Sequence, residues 1–339
     1  MDSITQAALG AAVGEAALGK KIGYKAALWG AAIGTLPDLD VLANPFISEM
    51  AEVQLHRGIT HSFFFAVLAS PVIGWAIDKI HHKDAIGWKI WGWVSFWCLI
   101  THILIDLPTS YGTQIFWPFD RIPATTDSIF IIDPLYTLPL LFGVLMSQFR
   151  NRDSRFRLWI NRTGLIVSTL YLIWAHGIKA HVHSVFDQSF KNQYASYERI
   201  KTMPAGPTTL MWLGYVTRND SVYAGVYSIL DDEPYITFRG VAKNSDKLEP
   251  FIDDEPVQVL MWFSRGYIKM EEKEGEVYLH DLRFGRSDFW LTDQGNYIWS
   301  NKLRFNADST RVTGFDRAIP IFDFEIENRD RIWNRIWGK

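Results

Sequence analysis

The 339-residue chain has one cysteine, Cys98. A lone thiol excludes an intrachain disulfide and any zinc site built on cysteines, so a metal held here must rest on His, Asp and Glu. Charge of one sign is also missing, since 34 Lys and Arg stand against 37 Asp and Glu, a formal net charge of −3. Without a basic field to meet phosphate backbones, nucleic acid is not an expected partner. No basic stretch precedes the first apolar segment, and Glu15 interrupts it, which does not fit a cleaved signal peptide. Repeats and low-complexity tracts are absent too.

Long apolar runs are present, hidden by an ordinary mean hydropathy of −0.01 because all lie before about residue 180. Ser62 to Ile77, Ile86 to Ile105, Ile129 to Phe149 and Gly164 to Ala180 approach the roughly 20 apolar residues a membrane-crossing helix needs. Two shorter segments, Ile4 to Gly19 and Ala26 to Leu36, are rich in Gly and Ala. Small residues let backbones approach closely, so a tightly packed helical hairpin is expected there.

Loop charge gives these segments an orientation, because cytoplasmic loops carry an excess of Lys and Arg. Alternate connections hold Lys20, Lys21 and Lys25, then Lys79, Lys83 and Lys89, then Arg150, Arg152, Arg155, Arg157 and Arg162; the others hold only Arg57 and Arg121. If all six segments cross, the basic loops face the cytoplasm and the C-terminal part is periplasmic or extracellular. From about Thr208 the pattern changes to short β-rich runs between turns: Thr208 to Arg218, Ser221 to Leu230, Pro234 to Arg239, Val257 to Phe263 and Gly266 to Met270, with strand candidates to about Ile326. The expected fold is α and β in separate domains. A multi-pass α-helical membrane domain covers 1–185, a linker 186–207, and a β-rich extramembrane domain 208–339.

Three clusters carry chemistry. His102 and Asp106 are four apart in a helical run, so both side chains leave one face. An ionisable group in a membrane helix is costly, about 2.5 to 3.5 kcal/mol on insertion scales, and such residues usually face a functional interior; the bland alternative is a His-Asp hydrogen bond that locks packing. Asp38 and Asp40 end the second segment and share a side if the backbone is extended after Pro37. Paired carboxylates repel unless a cation or proton lies between them; the alternative is a solvated turn. His56-Arg57-Gly58-Ile59-Thr60-His61-Ser62 brings two imidazoles, a guanidinium and two hydroxyls together, with Arg57, Thr60 and Ser62 as candidate contacts for an anionic substrate.

The topology places all three clusters on the non-cytoplasmic side. Asp38, Asp40, His56, His61, His102 and Asp106 are therefore read as ligands of one or two divalent ions, zinc foremost with manganese or iron as alternatives. Ligands without sulfur suit a metal pair about 3.5 to 4 Å apart, which activates water and clamps a phosphoryl group. Asp133, opening the fifth segment, is the candidate that orients that water or adds a ligand. Asp2 and Gln6 share a helical face on the same side. His176, His181 and His183 at a helix exit are more ordinary as interfacial or hydrogen-bonded residues, and His81-His82 as loop. Glu15 is open between a functional and a packing role.

The string Met1-Asp2-Ser3-Ile4-Thr5-Gln6-Ala7-Ala8-Leu9-Gly10, with Leu36-Pro37-Asp38-Leu39-Asp40, the His56-to-Ser62 motif and His102-x-x-x-Asp106, resembles the YdjM family of inner-membrane proteins, taken to be metal-dependent hydrolases. The likeness covers roughly residues 1–150, and the β-rich remainder looks like the C-terminal extension of longer members. It implies a bacterial inner-membrane helical hydrolase domain, with Asp38, Asp40, His56, His61, His102 and Asp106 as ligands and a distant kinship to zinc-dependent phospholipase C. Many relatives have Thr-His where this chain has Thr5-Gln6, so a site position there is lost or filled by water.

The leading expectation is a membrane-bound hydrolase acting on a phosphoester such as a phospholipid head group, with membrane lipids around it. The alternative is a non-catalytic envelope binding protein anchored in the membrane, with a structural metal. A transporter is the third reading, and the lack of an inverted repeat counts against it.

Overall fold

The computed structural model describes residues 1–292, 295–318 and 326–339, and contacts divide it into two compact units. The first comprises Met1–Pro45 and Leu55–His176, the second Phe46–Gln54 and Gly177–Lys339.

In the first unit the two Gly/Ala segments form helices α1 (Ser3–Ile22) and α2 (Tyr24–Thr35). Asp2 caps α1, its carboxylate accepting from the backbone N–H of Ile4 and Thr5. The two helices touch backbone to backbone: a Cβ on Gly10 would lie 2.2 Å from the carbonyl oxygen of Gly30. That is the tight hairpin the small residues predict. A 3₁₀ stretch, Pro37–Phe46, follows α2. The short helix α3 (Glu49–Leu55), assigned almost wholly to the second unit, precedes α4 (Phe63–Ile80) and α5 (Trp88–Asp106).

Helix α6 (Pro134–Gln148) begins five residues later than the apolar run that suggests it. Asp133 caps it and Pro134 fills the first helical position, where a missing N–H costs nothing. The last run lies inside the 40-residue helix α7 (Arg155–Tyr194), about 60 Å long at 1.5 Å per residue. Arg155, Arg157 and Arg162 are thus helical rather than loop residues.

Among the described residues, three helices are long and apolar enough to cross a membrane, Phe63–Ile80, Trp88–Asp106 and Arg155–Tyr194, and α2 with the following 3₁₀ stretch makes a fourth if that pair, bent by 47°, is one span. This is fewer than the six segments expected. Helix α1 is diluted by Gly, Ala and Glu15, and α6 has only 15 residues.

Glu15 is a packing residue. Arg157 clasps it with two hydrogen bonds of 2.6 and 2.8 Å, and Gln148 adds a third at 3.3 Å. Beside this ion pair, the Asn161 amide donates to the carbonyl of Ala12 at 2.9 Å, so α7 is tied to α1 through polar groups that lipid could not satisfy.

The second unit takes the end of α7 and two four-stranded antiparallel sheets. In the first, β1 (Arg199–Gly206), β2 (Thr208–Arg218), β3 (Ser221–Ser228) and β4 (Phe238–Ala242) run in chain order. Phe186 and Phe190 of α7 pack into its core with Trp212 and Val216. The expected linker 186–207 is therefore ordered, as helix to Tyr194 and then as β1. After a one-turn helix α8 (Ser245–Leu248) and α9 (Glu255–Ser264), the second sheet has β5 (Ile268–Lys273), β6 (Glu276–Asp281), β7 (Ser300–Phe305) and β8 (Val312–Ala318), again in chain order.

Val257 to Phe263, expected as a strand, is helical because Pro256 sits in the first turn after Asp254 and the apolar run does not alternate. The strand expected at Pro234 to Arg239 forms later, at Phe238–Ala242. Buried Leu213, Tyr215 and Val222 meet Tyr267, Leu282 and Trp290 in one core cluster. The expected strand signal reaches 319–325, outside the described residues, and Ile326 opens α10 (Ile326–Ile336).

Candidate metal centre

Asp38 and Asp40 stand in a 3₁₀ stretch rather than an extended one. With three residues per turn, side chains two apart point about 120° apart, and the two carboxylates take different partners. Asp38 turns to His61 and His102, and Asp40 turns to His56 and the Arg57 backbone.

His61 ends a short 3₁₀ turn, Ile59–His61, reached through Arg57, whose φ of 55° lies in the left-handed region that non-glycine residues seldom occupy. His102 and Asp106 lie on one face of the last turns of α5.

These elements bring four side chains together. His61 Nε2 is 3.1 Å from His102 Nε2, 3.2 Å from Asp38 Oδ1 and 3.3 Å from Asp106 Oδ2. His102 Nε2 is 3.6 Å from each of the same two carboxylate oxygens, and the four ligand atoms all lie within 4.8 Å of one another. Donors at about 2.0 to 2.2 Å from one ion in a tetrahedron are about 3.3 to 3.6 Å apart. The five edges that involve a histidine, 3.1 to 3.6 Å, lie close to that figure.

Protonation supports the same reading. Gly34 offers only a carbonyl oxygen, 2.6 Å from His102 Nδ1, so Nδ1 carries the hydrogen and Nε2 presents a lone pair. His61 Nδ1 lies 3.0 Å from the Thr60 hydroxyl and 3.7 Å from Asp40 Oδ2, which favours the same tautomer. With that tautomer at both rings, two lone pairs and two carboxylates converge on one point, an arrangement that a cation relieves. Asp106 Oδ2 is buried and has no hydrogen-bond partner, whereas Oδ1 is held by the Met1 amino group, by Gln6 Nε2 at 3.0 Å and by Arg57 Nη2 at 3.4 Å. The donor set fits a divalent ion, with one carboxylate oxygen left over for it.

The remaining predicted residues fall elsewhere. Asp40 and His56 are not in the four-residue group; they bond to each other at 3.1 Å, and Asp40 Oδ2 accepts from the Arg57 N–H at 3.0 Å. Thr60 supports His61, and Ser62 caps α4, accepting from Phe65 N and donating to the carbonyl of Ile59. Neither hydroxyl is free for an anion.

Arg57 is buried, donating to Thr109 Oγ1 at 2.8 Å and lying 5.2 Å from the Tyr111 ring centroid, so it braces Asp106. Asp133 does not join the cluster, because Oδ1 caps α6 and Oδ2 accepts from the Tyr171 hydroxyl at 2.8 Å. His176, His181 and His183 stay outside as well; His176 bonds to the carbonyl of Leu172 and to Thr126. Among the described residues there is one such group.

Sequence reasoning missed Gly34 and Thr109. Gly34 acts through its backbone carbonyl, which leaves no trace in residue type. Thr109 follows Asp106 by three residues and could have been found as a buried hydroxyl near an ionic pair. Gln6, the departure from the Thr-His pattern, does reach the site, donating to Asp106 and, at 3.4 Å, to the carbonyl of His102.

Comparison with known proteins places the chain in a family. "Uncharacterized protein YfhP" of Bacillus subtilis (strain 168) is 31% identical over 151 residues, 42% of this chain and 45% of the relative, so the match spans less than half of either. No solved structure matches the chain. The family described as YdjM inner membrane protein matches residues 1–182, a stretch that holds every residue of the cluster and more than half of the chain. The chain therefore belongs to the YdjM inner membrane protein family.

Proposed function

We propose that this protein is a membrane-bound metal-dependent hydrolase acting on a phosphoester such as a lipid head group, with one divalent ion, zinc foremost, held by Asp38, His61, His102 and Asp106. The observation that carries the reading is the uneven burial of a sulfur-free donor set: the side chain of Asp38 is 18% exposed and the other three are 0%. Structural zinc sites are mostly closed and rich in cysteine, whereas His and carboxylate sites open on one side are the catalytic kind. A bound divalent ion would supply Lewis acidity and acidify a water reaching it from the Asp38 side.

The chain's own groups pre-organise that site. Gly34 and Thr60 fix the two imidazoles, Gln6 and Arg57 hold one oxygen of Asp106, and Asp40 anchors the loop that carries His61. Exposed Leu39, Leu42 and Ile59 flank Asp38 and His61 in sequence, an apolar surround suited to a lipid substrate. The Lys and Arg of 20–25, 79–89 and 150–152 support a site on the non-cytoplasmic face, with the C-terminal region periplasmic or extracellular, provided that α1 and α6 also cross.

The test is metal content of detergent-purified protein together with a screen of phosphomonoesters, phosphodiesters and phospholipids. About one ion per chain and turnover that Asp38→Ala abolishes are expected; metal without turnover on any class would sink the hydrolase. A second reading, a non-catalytic membrane anchor with a structural metal, is favoured by the four protein ligands, which fill a tetrahedron. X-ray absorption showing an ion with no solvent ligand would select it.

A further inference from the structure

Independently of the metal cluster, the second sheet carries an arrangement that the proposed function does not use. His280 on β6 and Ser300 on β7 are cross-strand partners, which puts their side chains on one face of the sheet. Ser300 Oγ lies 2.7 Å from His280 Nδ1, and His280 Nε2 lies 3.2 Å from Glu271 Oε2 on β5. Lys269 holds the other carboxylate oxygen of Glu271 at 2.8 Å, and the Tyr297 ring stacks on the imidazole at a centroid distance of 4.3 Å. Lys269, Glu271, Lys273, His280, Tyr297 and Ser300 all line one cavity of about 570 Å³, within the size range of small-molecule sites.

A hydroxyl hydrogen-bonded to an imidazole whose other nitrogen meets a carboxylate is the arrangement that activates a serine nucleophile. The carboxylate can only accept, so Nε2 carries the hydrogen and Nδ1 is free to take the serine proton. Burial pushes the His280 imidazole down to about 4, outweighing the opposite pull of Glu271, so the ring is neutral near pH 7. A cross-strand Ser-His hydrogen bond is also a common way to pair strands, but that role needs neither a third group on Nε2 nor an adjoining cavity.

We propose that Ser300, His280 and Glu271 form a second, metal-independent hydrolytic site for small carboxylic esters. Ser300 Oγ bonds to the ester carbonyl carbon as its proton passes to His280 Nδ1. The alkoxy group leaves with that proton, and water then releases the acyl group from Ser300 as the free acid. Glu271 orients the ring and stabilises it when charged.

The experiment uses the full chain in detergent, with a fluorophosphonate probe located by peptide mass spectrometry and p-nitrophenyl acetate as substrate. Expected are probe attachment at Ser300 and ester turnover, both abolished by Ser300→Ala and lowered at least tenfold by Glu271→Gln. Neither should change with chelator, which separates this site from the metal cluster. Unchanged circular dichroism and melting of Ser300→Ala would show that the loss is chemical. An unlabelled Ser300, or turnover surviving in Ser300→Ala, would overturn the proposal and leave a strand-pairing network.

Discussion

His61 and His102 face each other through their Nε2 atoms at 3.1 Å. The Nδ1 of His102 turns away to the carbonyl of Gly34, and that of His61 to the Thr60 hydroxyl. The two Nε2 atoms therefore mark the centre of the candidate metal site, and several outcomes can be checked.

Removing one member should empty the site. His102→Ala leaves three donors and takes away the ligand fixed by Gly34, so metal content measured by plasma mass spectrometry should fall from about one ion per chain to below about one tenth, through loss of binding free energy that is also folding free energy. Retention of a full equivalent would refute the assignment of ligands.

Asp40 lies behind the ligands. Asp40→Asn should keep the stoichiometry at saturating metal while weakening affinity about 10- to 100-fold, the usual effect of losing an outer partner of a ligating histidine. Competition with a coloured chelator measures this. An Asp40→Asn protein that loses all metal would instead make Asp40 a ligand.

Glu15→Ala should be among the most harmful changes far from the metal. It strands Arg157 in a buried position, and breaking a buried pair costs roughly 3 to 5 kcal/mol. Glu15→Leu combined with Arg157→Met should recover most of that loss, as read by melting in detergent. Equal melting of the single and double variants would contradict the pairing.

Gly30→Ala tests the contact between α1 and α2. The added methyl group meets the carbonyl of Gly10 at 2.2 Å, and since backbone cannot yield, the helices must separate and draw Gln6 away from Asp106. The melting temperature and metal affinity should both fall. A neutral Gly30→Ala would mean that the hairpin is looser than this geometry.

Acid should destabilise the C-terminal unit. The His280 imidazole is held down to about 4 by burial, against about 6.5 in an unfolded chain. Between these values the unfolded state binds a proton that the folded state refuses, so stability falls as pH drops from about 6.5 to 4, by at most about 1.4 kcal/mol per pH unit. The Glu271 carboxyl, although desolvation raises it, is held below its usual range by Lys269 and His280, and its contribution is likewise lost on acidification. Urea midpoints should decline over that window in wild type and decline less in His280→Gln; parallel curves would refute the account.

The sequence by itself determined the helical and β-rich halves, the apolar helices and the tight α1–α2 hairpin, because composition and hydrophobic run length act locally. It also brought His102 and Asp106 to one face, since a spacing of four is a property of any α-helix. It could not say which of Asp38 and Asp40, or of His56 and His61, reaches them. That choice rests on a 3₁₀ stretch that turns Asp40 away from Asp38 and on the left-handed Arg57 that redirects the loop. Asp133 and Ser62 were candidates by residue type, yet both act as helix caps once α6 and α4 begin where they do. Val257 to Phe263 reads as a strand by sequence yet forms α9, because a short apolar run suits a buried strand or a buried helix alike, and packing decides between them. Tertiary structure alone gathered four of the six candidate donors, because the distances between them depend on how α1, α2, α4 and α5 pack, and no spacing along the chain encodes that.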